Sequence, residues 1–123
     1  MPHIWKKVSG VPYARSKTRG NLSAPKEWTA AVVRDTRDLP KIRDACLLRI
    51  TYLLPRGHVP ADYPFGTDLD NLNKRFLDAL NETVFSEAKG KDSCVVAMET
   101  MKVIVETKDE AGAHLEIMPI RTA

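Results

Sequence analysis

The chain lacks most of the features that mark secreted, membrane-spanning or disulfide-rich proteins. It contains only 2 cysteines, Cys46 and Cys94, which lie too far apart for a CxxC motif, so we expect two reduced thiols in the core. The most apolar stretch, 45–54, is short and contains Arg49, which excludes a membrane span. The first residues lead into a polar loop and not into the apolar run of a secretory signal. A cytoplasmic protein without a membrane partner is therefore expected.

The composition is also not that of a disordered chain. Hydrophobic residues make up 43% of the sequence and charged residues 28%, which are the proportions of a globular domain. Internal repeats and low-complexity segments are absent, and 123 residues are enough to form one hydrophobic core. We therefore expect one folded, soluble domain that covers 1–123.

The net charge of +3 is unevenly distributed along the chain. Residues 1–50 hold 11 Lys/Arg and 4 Asp/Glu, whereas residues 51–123 hold 8 and 12. A basic half suits a phosphate backbone, and an acidic half with clustered carboxylates suits a divalent cation. An uneven solvated surface would give the same pattern, so the charge alone does not decide between the two.

Hydrophobic spacing predicts six secondary-structure elements. They are a strand at 4–8, a helix that begins at Pro25 and ends before Pro40, a strand at 45–54, a helix at 68–80, and strands at 94–106 and 113–120. The second helix has the clearest pattern, because its apolar residues form one continuous stripe. The turn at 108–112 predicts that the last two strands form an antiparallel hairpin.

This order of elements predicts an α+β fold in two layers. About four strands would form a mixed or antiparallel sheet, with the two helices packed on it. The connection from the second strand through the second helix to the third strand could be a right-handed crossover, which would make those two strands parallel.

Two carboxylates mark the start of the second helix. Asp68 and Asp70 lie where the chain passes from loop to helix, so both can converge beyond the helix N-terminus. Nearby carboxylates repel each other, and a hard cation such as Mg²⁺ relieves that repulsion. Helix capping and the helix dipole favour aspartate at the same positions, which is the alternative explanation. A strand after Asp92 could bring a third carboxylate back to the helix start.

Two further polar residues follow the pair. Lys74 lies one helical turn after Asp70 on the same face, where its ammonium could reach a phosphate held at a metal. An ion pair with Asp70 or Asp78 would explain it equally well. Asn71 could order a metal-bound water or a carboxylate, although asparagine is also common at helix starts.

The residues of this region form a dense motif. They are Asp68-Leu69-Asp70-Asn71-Leu72, Lys74, Phe76-Leu77-Asp78-Ala79-Leu80, Asp92, Val95-Val96 and Lys102. Together they resemble the RusA family of Holliday junction resolvases. The resemblance is dense from 68 to 102 and looser to Ile120, and upstream it includes Gly10-Val11-Pro12 followed by a basic loop.

The resemblance implies a homodimer that binds four-way DNA junctions in recombination and repair. Such an endonuclease makes paired, magnesium-dependent nicks in strands of like polarity, and Mn²⁺ is expected to substitute for Mg²⁺. Carried over by position, Asp68, Asp70 and Asp92 form the metal site, and Lys74 is the basic catalytic partner. The family usually has a second acid before the third ligand and Gln two residues after it, where this chain has Lys91 and Cys94. Glu87 is therefore an alternative third carboxylate.

Several basic residues are candidates for contact with the DNA backbone, which predicts salt-dependent binding. They are Lys6, Lys7, Arg15, Lys17, Arg19, Lys74 and Lys102. A solvated basic face is the alternative for each of them. Trp28 is expected in the core or at an interface in preference to stacking on a base. The three histidines have no ligand or triad spacing, so no chemistry is assigned to them.

Two other classes of function fit parts of the sequence. A non-catalytic, structure-selective DNA-binding module would use the same basic half. A protein of unrelated fold would use Asp68 only to cap its helix. Cleavage of a synthetic junction with magnesium, and its loss with EDTA, separates the endonuclease from both.

Overall fold

A computed structural model describes residues 3–13, 23–57 and 67–120 of the chain. Its helices and strands are β1 (Ile4–Ser9), α1 (Ala24–Thr36), β2 (Cys46–Pro55), α2 (Leu69–Leu80), β3 (Val95–Val105) and β4 (Gly112–Pro119). Short 3₁₀ turns precede β3 at Lys91–Cys94 and β4 at Lys108–Glu110. The predicted number, type and order of elements are confirmed in the described ranges.

The four strands form one mixed sheet in the order β1-β4-β2-β3. The central strands β4 and β2 pair antiparallel, as do β1 and β4, whereas β2 and β3 are parallel. The α+β prediction, with two helices packed on a sheet of four strands, is confirmed. The parallel arrangement of β2 and β3 around α2 is confirmed as well.

The predicted hairpin between β3 and β4 is wrong. β4 pairs with β1 and β2, so β2 separates it from β3, and the connection between them passes the end of β2. Burial explains this order. Ala113, Leu115 and Ile117 of β4 are almost fully buried, which suits a central strand. β3 is exposed or half-buried along its whole length, which suits an edge.

The core lies between the two helices and one face of the sheet. The predicted apolar stripe of α2 is buried there through Leu72, Phe76 and Leu80. Trp28 of α1 is 1% exposed and its ring centroid lies 6.2 Å from that of Phe76, so it is a core residue. Phe76 also meets Tyr52 of β2 edge-on, with centroids 5.9 Å apart. Neither α1 nor α2 is long and apolar enough to cross a membrane, and the described ranges contain no other candidate.

Helix α2 runs antiparallel to β2 and β3. Near its start, the ammonium of Lys102 in β3 donates to the carbonyl of Thr67 over 3.1 Å. Midway, the Asn73 amide donates to Thr100 Oγ1 over 3.4 Å. At its end, Asn81 reaches the segment that precedes β3. The start of α2 therefore lies beside the later part of β3, and its end lies beside the beginning of that strand.

Candidate metal and DNA-binding site

The two aspartates at the start of α2 are both exposed. Asp68 occupies the N-cap position with φ −60° and ψ 136°, and its side chain makes no capping hydrogen bond. Its backbone carbonyl accepts the first helical hydrogen bond, from Leu72 N over 3.1 Å. Asp70 lies in the first turn. The side chain of Asp68 therefore does not perform the capping role that the alternative explanation assigned to it.

Two lysines accompany this pair. Lys74 is exposed and lies one turn after Asp70, and neither Asp70 nor Asp78 forms an ion pair with it in the described structure. Lys102 is half-buried, and its bond to Thr67 places its ammonium at the residue before Asp68. Asp68 and Asp70 thus lie at the start of α2 with the Lys102 ammonium beside Thr67, whereas Lys74 lies near the middle of the helix.

Asp92 does not join them within one chain. It belongs to the 3₁₀ turn before β3, and its Oδ2 accepts a hydrogen bond of 3.1 Å from the amide of Asn81, which caps the C-terminal end of α2. The 12 residues of α2 span about 18 Å. In the sequence α2 lies between the parallel strands β2 and β3, and it runs antiparallel to both. The chain therefore enters β3 at the C-terminal end of the helix. The expectation that β3 brings Asp92 back to the helix start is corrected accordingly.

Glu87 does not replace Asp92 at the start of α2 either. It follows the C-terminal end of the helix, is exposed, and pairs with the guanidinium of Arg43. The hydrogen bond from Arg43 lowers the pKa of Glu87. Among residues 3–13, 23–57 and 67–120, no group of three or more His, Cys, Asp or Glu side chains is placed to hold one metal ion.

The basic residues of the first segment lie elsewhere. Lys6 and Lys7 belong to β1, at the opposite edge of the sheet from β3, and three strand spacings amount to about 14 Å. The Lys7 ammonium donates to the Glu110 carbonyl over 3.0 Å, and burial lowers the pKa of Lys7. The remaining predicted contacts fall outside the described residues: Arg15, Lys17 and Arg19.

Two features near the site could not be read from hydrophobic spacing. The buried hydroxyl of Tyr52 donates to Asn73 Oδ1 over 2.9 Å, and with the Asn73–Thr100 bond this fixes α2 against β2 and β3. Burial raises the pKa of Tyr52. The second feature is the proximity of the two cysteines, since Cys46 pairs with Val95, the residue after Cys94. Cys46 is buried as predicted and Cys94 is only half-buried, and burial raises the pKa of both thiols.

The residues at the start of α2 fit a magnesium ion in part. Mg²⁺ in proteins takes one or two carboxylates and keeps several waters, which Asp68 and Asp70 can satisfy. The positive end of the helix dipole opposes a cation at this position, so a further carboxylate would strengthen binding.

No family model and no curated protein sequence matches this chain.

Proposed function

We propose that the protein is a magnesium-dependent, structure-specific endonuclease of the RusA type that resolves four-way DNA junctions by paired nicking, in recombination and repair. The observation that carries the proposal is that Asp68 and Asp70 lie at the start of α2, where the Lys102 ammonium donates to the Thr67 carbonyl, with Lys74 one turn further along the helix. These residues belong to the sequence motif that resembles the family, and two acids beside two ammonium groups suit phosphodiester hydrolysis.

Each residue has a separate task in this proposal. Asp68 and Asp70 hold the ion, which when bound supplies Lewis-acid chemistry for attack of water on the scissile phosphate. Lys74, exposed one turn along the helix, stabilises the negative charge that develops on the phosphate oxygens. Lys102 bonds to the backbone carbonyl of Thr67, the residue before Asp68, and its charge also attracts the DNA backbone.

The position of Asp92 gives the proposed homodimer a role in catalysis. Since Asp92 lies at the other end of α2, a single chain offers only two of the three acids of the motif. We propose that Asp92 of the partner subunit completes the site formed by Asp68 and Asp70. The apolar surface of edge strand β3 supports self-association, because four large hydrophobic side chains are exposed there: Val96, Met101, Val103 and Ile104.

The test is cleavage of an end-labelled synthetic four-way junction. The proposal predicts paired nicks with magnesium or manganese, none with EDTA, and much weaker cleavage of linear duplex of the same sequence. Asp70→Asn should abolish nicking. Asp109→Asn, an exposed aspartate in the β3–β4 connection, should not. Cleavage that survives EDTA or the Asp70→Asn change would refute the assignment.

A non-catalytic junction-binding module is the second candidate. The separation of Asp92 from Asp68 and Asp70 favours it, because a chain acting alone has an incomplete acidic site. It predicts retarded junction DNA in a gel-shift assay and no product with any divalent ion. One cleavage time course beside one binding titration distinguishes the two candidates.

A further inference from the structure

The two cysteines are brought together by the parallel pairing of β2 and β3. Cys46, the first residue of β2, lies opposite Val95 in β3. Cys94 directly precedes Val95 in the chain, so it lies one residue away from the position opposite Cys46. Spacings of about 4.8 Å between strands and 3.3 Å along them put the two Cα atoms about 6 Å apart. A disulfide needs Cα atoms within roughly 4.4 to 6.8 Å. The pairing of Cys46 with Val95 is therefore compatible with a bridge to Cys94.

The surroundings of the two thiols differ. Cys46 is 0% exposed, whereas Cys94 is half-buried at the end of the 3₁₀ turn. An oxidant from solution can therefore reach Cys94 and not Cys46. The chain has no third cysteine, so within one molecule a sulfenic acid at Cys94 has only Cys46 as a thiol partner.

We infer that Cys46 and Cys94 are an oxidisable pair that closes to an internal disulfide when the protein meets a peroxide. In the first step the Cys94 sulfur attacks the peroxide, taking one oxygen to become a sulfenic acid and releasing water. The Cys46 sulfur then attacks the Cys94 sulfur, and the sulfenic hydroxyl leaves with the Cys46 proton as a second water. A dithiol reductant reverses the bond by exchange.

The bridge would tie the start of β2 to the segment that enters β3. It closes a loop that contains all of α2, so it should restrict the unfolded chain and raise the melting temperature by roughly 5 °C or more. Cys94 lies two residues after Asp92, so the bridge would also fix the segment that holds this carboxylate. That last consequence alone rests on the proposed function.

Mass spectrometry tests the pair without any activity assay. The purified full chain is treated with hydrogen peroxide, free thiols are blocked with iodoacetamide, and intact mass is measured before and after dithiothreitol. The inference predicts a monomer about 2 Da lighter than the untreated chain, with neither thiol alkylated. Trypsin should release peptides 44–49 and 92–102 joined by a bond that dithiothreitol cleaves.

Two variants serve as controls. Cys94→Ala should leave Cys46 unoxidised, and Cys46→Ala should leave Cys94 as a sulfenic acid or a more oxidised form. Only the unmodified sequence should show the higher melting temperature after oxidation. The inference is overturned if the linked peptides are absent, either because both thiols survive or because Cys94 oxidises further while Cys46 stays free. It is also overturned if the linked peptides come only from a disulfide-bonded dimer.

Discussion

Asn81, which caps the C-terminal end of α2, donates a hydrogen bond of 3.1 Å to the carboxylate of Asp92. This bond places the third acid of the motif a helix length away from Asp68 and Asp70. It divides the proposed metal site between the two ends of one helix. In the proposed dimer, two copies of the chain bring those ends together.

Magnesium should stabilise the folded protein through the acids at the start of α2. An ion that binds only the native state adds about 1.4 kcal/mol to the free energy of unfolding when present at ten times its Kd. The expected observation is a rise in melting temperature with magnesium that EDTA reverses. Asp70→Asn should lose the rise, and Asp109→Asn should keep it. An equal rise in melting temperature in both variants would show that the ion binds elsewhere and not at the start of α2.

Lys74→Met should slow cleavage far more than it weakens junction binding. In the proposal the exposed ammonium of Lys74 stabilises the negative charge that develops on the phosphate oxygens during the reaction. Removing one such group from an active site lowers the rate roughly 100-fold. Single-turnover cleavage with saturating protein measures the rate, and a gel-shift titration measures the affinity. Lys108→Met, an exposed lysine in the β3–β4 connection, is the matched control. A loss in affinity alone would make Lys74 only a DNA contact.

The stability of the α1–β1 contact should depend on pH through Asp35. The hydrogen bond from Arg34 is the largest cause that lowers the pKa of Asp35, and Ser9 N also donates to its carboxylate over 2.9 Å. A carboxyl with a lowered pKa in the folded state contributes stability above its ordinary pKa of about 4. That contribution is lost as the pH falls through the folded value.

Asp35→Asn should therefore cost about 1 kcal/mol of unfolding free energy at neutral pH. The difference from the unmodified protein should shrink as the pH falls below about 4. Urea denaturation at a series of pH values measures it. A difference that stays constant across the series would show that the charge of Asp35 contributes nothing.

The sequence predicts the local features of this fold and misses features that depend on how distant segments meet. The apolar stripe through Leu72, Phe76 and Leu80 is a property of one helix, so α2 and the acids at its start could be predicted directly. The turn at 108–112 predicts a β3–β4 hairpin, which the structure does not contain. A turn shows that the chain changes direction, but it does not show which strand pairs with the strand that follows the turn.

The same limit applies to the candidate site. Asp68, Asp70 and Lys74 lie within two helical turns, so their common location follows from sequence spacing. The position of Asp92 depends on the parallel direction of β3, which placed it at the opposite end of α2. The proximity of Cys46 and Cys94 arises from the same pairing and has no signature in the spacing of the two cysteines.

A subunit-mixing experiment tests the central claim most directly. Chains carrying Asp70→Asn are mixed and refolded with chains carrying Asp92→Asn, and nicking of a four-way junction with magnesium is compared with that of each variant alone. If the partner's Asp92 completes the site, each mixed dimer has one intact site, and nicking of a single strand should return although both variants alone are inactive. If mixed dimers form and no nicking returns, the shared site proposed here is contradicted.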